Sequence, residues 1–309
     1  VSMSAAAHYV VAMLPGWQGK EWLISSVGVI VLTLLALRGV GRSAQAKALP
    51  AVIFVVALVA VIVVGLILAA MGKLGQAPSA DFDVVPLAGT GLGGLAGLVL
   101  VLRAFSTGSA ALTGVEAPIS GVGELSAPRA KNAGKVLLFL GAVAAVLTLG
   151  VMWLARLTGV KVVEDPTTQL TLNGQAPEDY VQAPVLSQLA QAVLGHGWPV
   201  VVFSLVTILV LLAAGLSGFT SFPRLAFFLA SDGYLPRQLR TRGDRMGFSN
   251  GILVLGGAAV ALVAVTGAHL ATLIQMYVIG VFVAFTLSQA GMLRHWRLRL
   301  RATVHGPHK

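Results

Sequence analysis

Residues 50–72 read PAVIFVVALVAVIVVGLILAAMG, with no charged side chain. An α-helix rises about 1.5 Å per residue, so about 20 apolar residues cross the hydrocarbon core of a bilayer. In lipid the backbone must satisfy its own hydrogen bonds, which makes such a run a helix. Similar runs lie near 1–14, 22–38, 92–118, 135–157, 198–219, 250–266 and 269–291. Composition agrees: 57% of the residues are hydrophobic and 10% are charged, against about 25% charged in soluble domains. The expectation is an all-α integral membrane protein with eight membrane segments. The first run has neither a basic lead nor a small-residue cleavage site, so it reads as the back half of a helix rather than a signal peptide. The absence of cysteine excludes a disulfide framework and a thiolate metal site.

The net charge of +10 acquires meaning only from where the charges sit. Arg38, Arg42 and Lys47 follow the second segment. Arg129, Lys131 and Lys135 stand against Glu124 after the fourth. Arg224, Arg237, Arg240, Arg242 and Arg245 stand against Asp232 and Asp244 after the sixth. Arg294, Arg297, Arg299, Arg301 and Lys309 follow the eighth. The alternate loops carry Lys20 with Glu21, then Lys73 with Asp81 and Asp83. The last of them sets Arg156 and Lys161 against Glu164, Asp165, Glu178 and Asp179. Every basic loop thus falls on one side, the pattern that marks the cytosolic face. The basic excess is a topology signal, and nucleic acid is excluded as a partner. A multi-pass protein of the cytoplasmic membrane with a cytosolic C-terminus is expected.

Two loops exceed simple connections. In the outer loop 158–197, APVLSQLAQAVLGHG is expected to form a short surface helix. The inner loop 221–249 begins with apolar and small residues suited to the membrane surface and ends in a basic, Gly-punctuated turn region.

GTGLGG at 89–94 fits a dinucleotide fingerprint, but it opens a membrane segment instead of linking a strand to a helix in a soluble domain. Gly93 and Gly97 read better as a pair of small residues for close helix approach. The six histidines show no zinc spacing on one helix face, so no metal is expected. Ser106, Thr107, Ser109, Thr113, Thr207, Ser217, Thr220 and Thr286 lie in the spans. Most are expected to bond to carbonyls of their own helix or to hold helices together. None has a His or Lys placed to make it a nucleophile, so the chain is not read as an enzyme and no cofactor is expected.

Glu116 stands apart, inside ALTGVEAPISG (111–121). A carboxylate at membrane depth costs at least about 2.5 kcal/mol. Such groups face a bundle interior or a water-filled cavity. Two readings stay open: a protonated acid bonded to a neighbouring helix, or a proton or cation site. Arg103 is no obvious partner, because 13 positions along a helix span about 20 Å. Gly108, Gly114 and Pro118 flank the acid, and both residue types interrupt helices. A broken helix at mid-membrane offers carbonyls, N–H groups and dipole ends to a cavity, which is how many secondary transporters build their sites.

FSTGSAALTGVEAPISGVGELSAPRAKNAGKVLLFLG (105–141) resembles the sixth helix and following loop of the amino acid–polyamine–organocation (APC) superfamily. LRGVGRSA (37–44) resembles its loop between helices four and five, and VSMSAAAHYVVAMLP (1–15) the end of helix three. Residues 217–252 and 277–296 are similar to a bacterial branch related to the KUP potassium importers. The resemblance implies a LeuT-type fold of two inverted repeats, of which this chain holds the end of helix three through helix ten. Residues 1–88 would be a remnant of the first repeat, 89–296 the second repeat, and 297–309 a basic cytosolic tail. It implies a cation site at Thr113 and Glu116, completed in the relatives by helix one, with carbonyls from Gly114 and Val115. For an amino acid substrate, Ser109 and Gly114 would meet its polar groups. Proton-coupled potassium uptake by alternating access is the first expectation and proton-coupled amino acid transport the second. A truncated fragment that transports nothing is the third. The expected partners are the lipid bilayer and a small cation or amino acid, with a homodimer admissible. H+ is the expected coupling ion and K+ a candidate substrate.

Overall fold

The computed structural model describes residues 1–39, 44–85, 94–109, 126–163, 166–172, 180–240 and 248–304. Eight helices fall on the eight apolar runs: Ser2–Met13, Glu21–Leu37, Ala44–Ala70, Gly94–Gly108, Arg129–Thr158, Trp198–Ser231, Ser249–Thr266 and Leu270–Val304. Five contain stretches long and apolar enough to cross a membrane: Ala48–Ala70, Arg129–Thr158, Trp198–Ser231, Ser249–Thr266 and Leu270–Arg301. The expected all-α membrane architecture holds. One small exception is a two-residue antiparallel pairing of Asp83–Val84 with Leu170–Thr171, which joins the two long loops that the charges place outside.

The chain divides into two compact units, Val1–Leu87 with Leu138–Leu270, and Ala88–Leu137 with Ala271–Lys309. The first holds two cores. Leu58, Val61 and Ile62 meet Leu154, Leu189, Ala190, Val193, Val200 and Phe203 in one. Met3, Ala6, Val29, Leu32 and Ala36 meet Leu216, Phe219 and Ile252 in the other. The Trp198–Ser231 helix supplies side chains to both, Val200 and Phe203 near its start and Leu216 and Phe219 further on, so it acts as the spine of the unit. Small residues set the helix spacing. A Cβ on Gly65 would lie 2.7 Å from Leu154 Cδ1 and 2.9 Å from Val193 Cγ2. Lipid tails offer no hydrophobic drive between helices, so this close approach is what packs them.

Three elements differ from the sequence reading. The apolar opening of the inner loop is not a separate surface element, because the Trp198–Ser231 helix runs through it and through Pro223. A proline inside a helix removes one N–H and crowds the preceding turn. Here the ring is buried, and a Cβ on Gly251 would lie 2.9 Å from Pro223 Cβ, so the neighbouring helix leaves room for it. The Val185–Leu194 helix forms as expected but packs inside the first unit instead of lying at a surface. Ser187, Gln188, Leu189, Ala190, Ala192 and Val193 are buried. The last helix passes position 291 and continues through four arginines to Val304.

Within the second unit, the Gly94–Gly108 helix carries a largely exposed surface that includes Leu95, Val99, Val101, Leu102 and Phe105.

Candidate functional site

Of the residues singled out for a site, Gly108 and Ser109 are described, while Thr113, Gly114, Val115, Glu116 and Pro118 lie outside the described residues. Gly108 is the last residue of its helix, and a Cβ there would meet nothing within 4 Å. The Ser109 hydroxyl donates to Ser106 O at 2.6 Å. Thr107 Oγ1 donates to Arg103 O at 2.9 Å. Thr207 donates to Phe203 O at 2.9 Å, and Ser217 to Ala214 O at 2.6 Å. Thr220 donates to Ser217 O at 2.8 Å. These hydroxyls serve their own helices, which is the ordinary way to satisfy an O–H in lipid.

The first unit holds polar groups that sequence reasoning did not select. Ser4 is fully buried and donates through Oγ to Ala268 O at 2.5 Å. Ala268 sits in the turn after Ser249–Thr266 with φ +61°, in the left-handed region. That conformation costs a non-glycine residue roughly 1–3 kcal/mol, and the bond from Ser4 helps to hold it. His8 Nδ1 lies 2.8 Å from Ser4 O. The buried hydroxyls of Ser25 and Ser26 have no hydrogen-bond partner among the described residues. They are oxygen donors left open in an apolar interior.

A second cluster fastens the chain after Ala70 to the segment after Thr158. Ser79 Oγ donates to Gln188 Oε1 at 2.5 Å and accepts the Lys161 backbone N–H at 2.8 Å. Gln188 Nε2 donates to Ala183 O at 2.8 Å. The Ala77 N–H donates to Thr158 O at 2.9 Å, and Lys161 Nζ donates to Phe82 O. Gln182 exchanges two bonds with the Val163 backbone, at 3.0 and 2.8 Å. Tyr180 stacks on Phe82 with ring centroids 4.5 Å apart. Burial raises the Tyr180 phenol pKa above its ordinary value. The signal in the sequence was a glutamine on the apolar face of an amphipathic segment: Gln188 is flanked by Val185, Leu189 and Ala192 at helical spacing. A polar residue there needs a buried partner.

Membrane-length helices and close packing around small residues fit a polytopic membrane protein. The profile of the amino acid permease family matches residues 1–304. The potassium transporter KimA of Bacillus subtilis (strain 168) is 38% identical over 296 residues, which is 96% of this chain and 45% of KimA. The chain therefore belongs to the amino acid permease family, within the APC superfamily. It spans about half the length of that relative. Family and relative both point to a transporter rather than an enzyme.

Proposed function

We propose that this chain moves potassium inward across the cytoplasmic membrane, coupled to protons, by alternating access. The observation that carries the reading is the 38% identity, over 96% of the chain, to a protein named as a potassium transporter. Glu116 takes up the proton or offsets the charge of the cation. Thr113 offers a hydroxyl oxygen, and Gly114 and Val115 offer carbonyls. A carboxylate at membrane depth is costly enough to suit a group that cycles between protonated and ion-paired states. The family's description as amino acid permeases supports a second reading, proton-coupled amino acid uptake, in which Ser109 and Gly114 meet the substrate's polar groups.

Growth separates the two. Cells deprived of their own potassium importers and expressing this protein should grow at limiting potassium, and Glu116→Gln should abolish that growth. Rescue that persists unchanged in Glu116→Gln would remove the glutamate from the mechanism. Absent rescue together with proton-dependent uptake of a labelled amino acid would replace potassium with an amino acid.

A further inference from the structure

The Leu270–Val304 helix is 35 residues long. At 1.5 Å per residue it measures about 52 Å, against about 30 Å of hydrocarbon. Its first charged residue is Arg294, about 36 Å from its start. Arg294, Arg297, Arg299 and Arg301 therefore stand beyond the hydrocarbon, and Arg294 and Arg297 fall at the depth of the headgroups. The segment 291–304 contains no acidic residue.

The side chains are sorted around this extension. With about 100° between successive residues, Leu293, Trp296 and Leu300 share one stripe. Arg294, Arg297 and Arg301 border it on one side and Arg299 on the other. All of them are exposed. The Arg299 guanidinium lies over the Trp296 ring, 5.9 Å from its centroid, and the His295 ring meets Trp296 edge-on at 6.2 Å. A helix with an apolar stripe that contains tryptophan and is edged by cations matches the membrane interface.

We propose that residues 293–301 form a binding site for anionic phospholipid headgroups. A topology signal requires only positive charge on one side. It requires neither apolar residues interleaved with the cations nor arginine at every cationic position. Arginine offers a planar fork that grips a phosphate through two hydrogen bonds, where lysine offers a point charge. The site is independent of the identity of the transported ion.

Native mass spectrometry of the full chain in neutral detergent tests this, with phosphatidylglycerol or phosphatidylcholine added. The wild type should retain phosphatidylglycerol at least tenfold better than phosphatidylcholine. Replacing Arg294, Arg297 and Arg301 by Gln should weaken that retention about fivefold per arginine, on the order of a hundredfold in all. Replacing the same three by Lys should weaken it only a few-fold. Replacing Lys20, Lys73 and Arg156 by Gln removes three positive charges elsewhere and should change nothing. Should the Gln triple fail to fold, Arg297→Gln alone reads the effect at about fivefold. Equal retention of the two lipids, or equal loss in the two Gln triples, overturns the proposal. So does displacement of phosphatidylglycerol by inorganic phosphate at equal concentration, which would reveal a simple anion site.

Discussion

Ala44–Ala70 and Gly94–Gly108 are both apolar helices with glycine in them, yet their surroundings differ. In the first, a Cβ on Gly65 would fall under 3 Å from Leu154 and Val193, and Leu58, Val61 and Ile62 enter a core. Beyond its end the chain is fastened by Ser79 to Gln188. In the second, a Cβ on Gly108 would meet nothing within 4 Å, Leu95 is 82% exposed, and the hydroxyls of Thr107 and Ser109 donate to Arg103 O and Ser106 O. The first helix is held by its neighbours. The second carries a largely exposed apolar surface within its own unit.

The largest test of this contrast is steric. Gly75→Ala would put a Cβ 2.6 Å from Ala192 O, and Gly251→Ala would put one 3.0 Å from Pro223 Cα. Backbone atoms cannot give way as side-chain ends do. Each substitution should cost about 1–3 kcal/mol, seen as a lower thermal midpoint in detergent. Gly108→Ala should cost nothing in packing and gain up to about 1 kcal/mol of helix propensity. Equal losses at all three positions would break the contrast.

A comparable effect is polar. Gln188→Ala leaves the buried Ser79 hydroxyl without its acceptor and should cost about 1–3 kcal/mol. It should also speed hydrogen exchange in residues 77–85 and 158–163. Ser109→Ala and Thr107→Val should stay within about 0.5 kcal/mol of wild type. A large loss in Ser109→Ala would show that its hydroxyl has a partner beyond its own helix.

The smallest effect is titration of the outer clamp. Burial raises the Tyr180 pKa relative to the unfolded chain, so the folded form prefers the neutral phenol. Its contribution is complete below the unfolded value of about 10 and is lost as pH rises through the folded value. Unfolding monitored between pH 8 and 11 should therefore show the wild type losing stability above about pH 10. Tyr180→Phe should lose less over the same range.

The sequence made the architecture legible because a helix in lipid closes its own hydrogen bonds. Length and apolarity then suffice, and each of the eight runs holds a helix among the described residues. Boundaries were missed where a neighbouring element decides them. Nothing local shows that Pro223 continues a helix, because Gly251 on another helix makes the space. Nor does the apolar face of Val185–Leu194 show that Leu154 and Phe203 cover it in place of a membrane surface. At the site, Thr113, Gly114, Val115, Glu116 and Pro118 lie outside the described residues. The Ser79–Gln188 pair was not legible, since its members are 109 positions apart.

By itself, then, the sequence determined the all-α membrane class and the places of its apolar helices. Each of these rests on a cost paid residue by residue, in water or in lipid. Only the tertiary structure decided that Trp198–Ser231 joins two cores, that Ser79, Gln188 and Lys161 fasten the outer loops, and that Ser4 holds the turn at Ala268. Those features depend on atoms brought within about 3 Å from distant parts of the chain, a distance at which hydrogen bonds and close packing act.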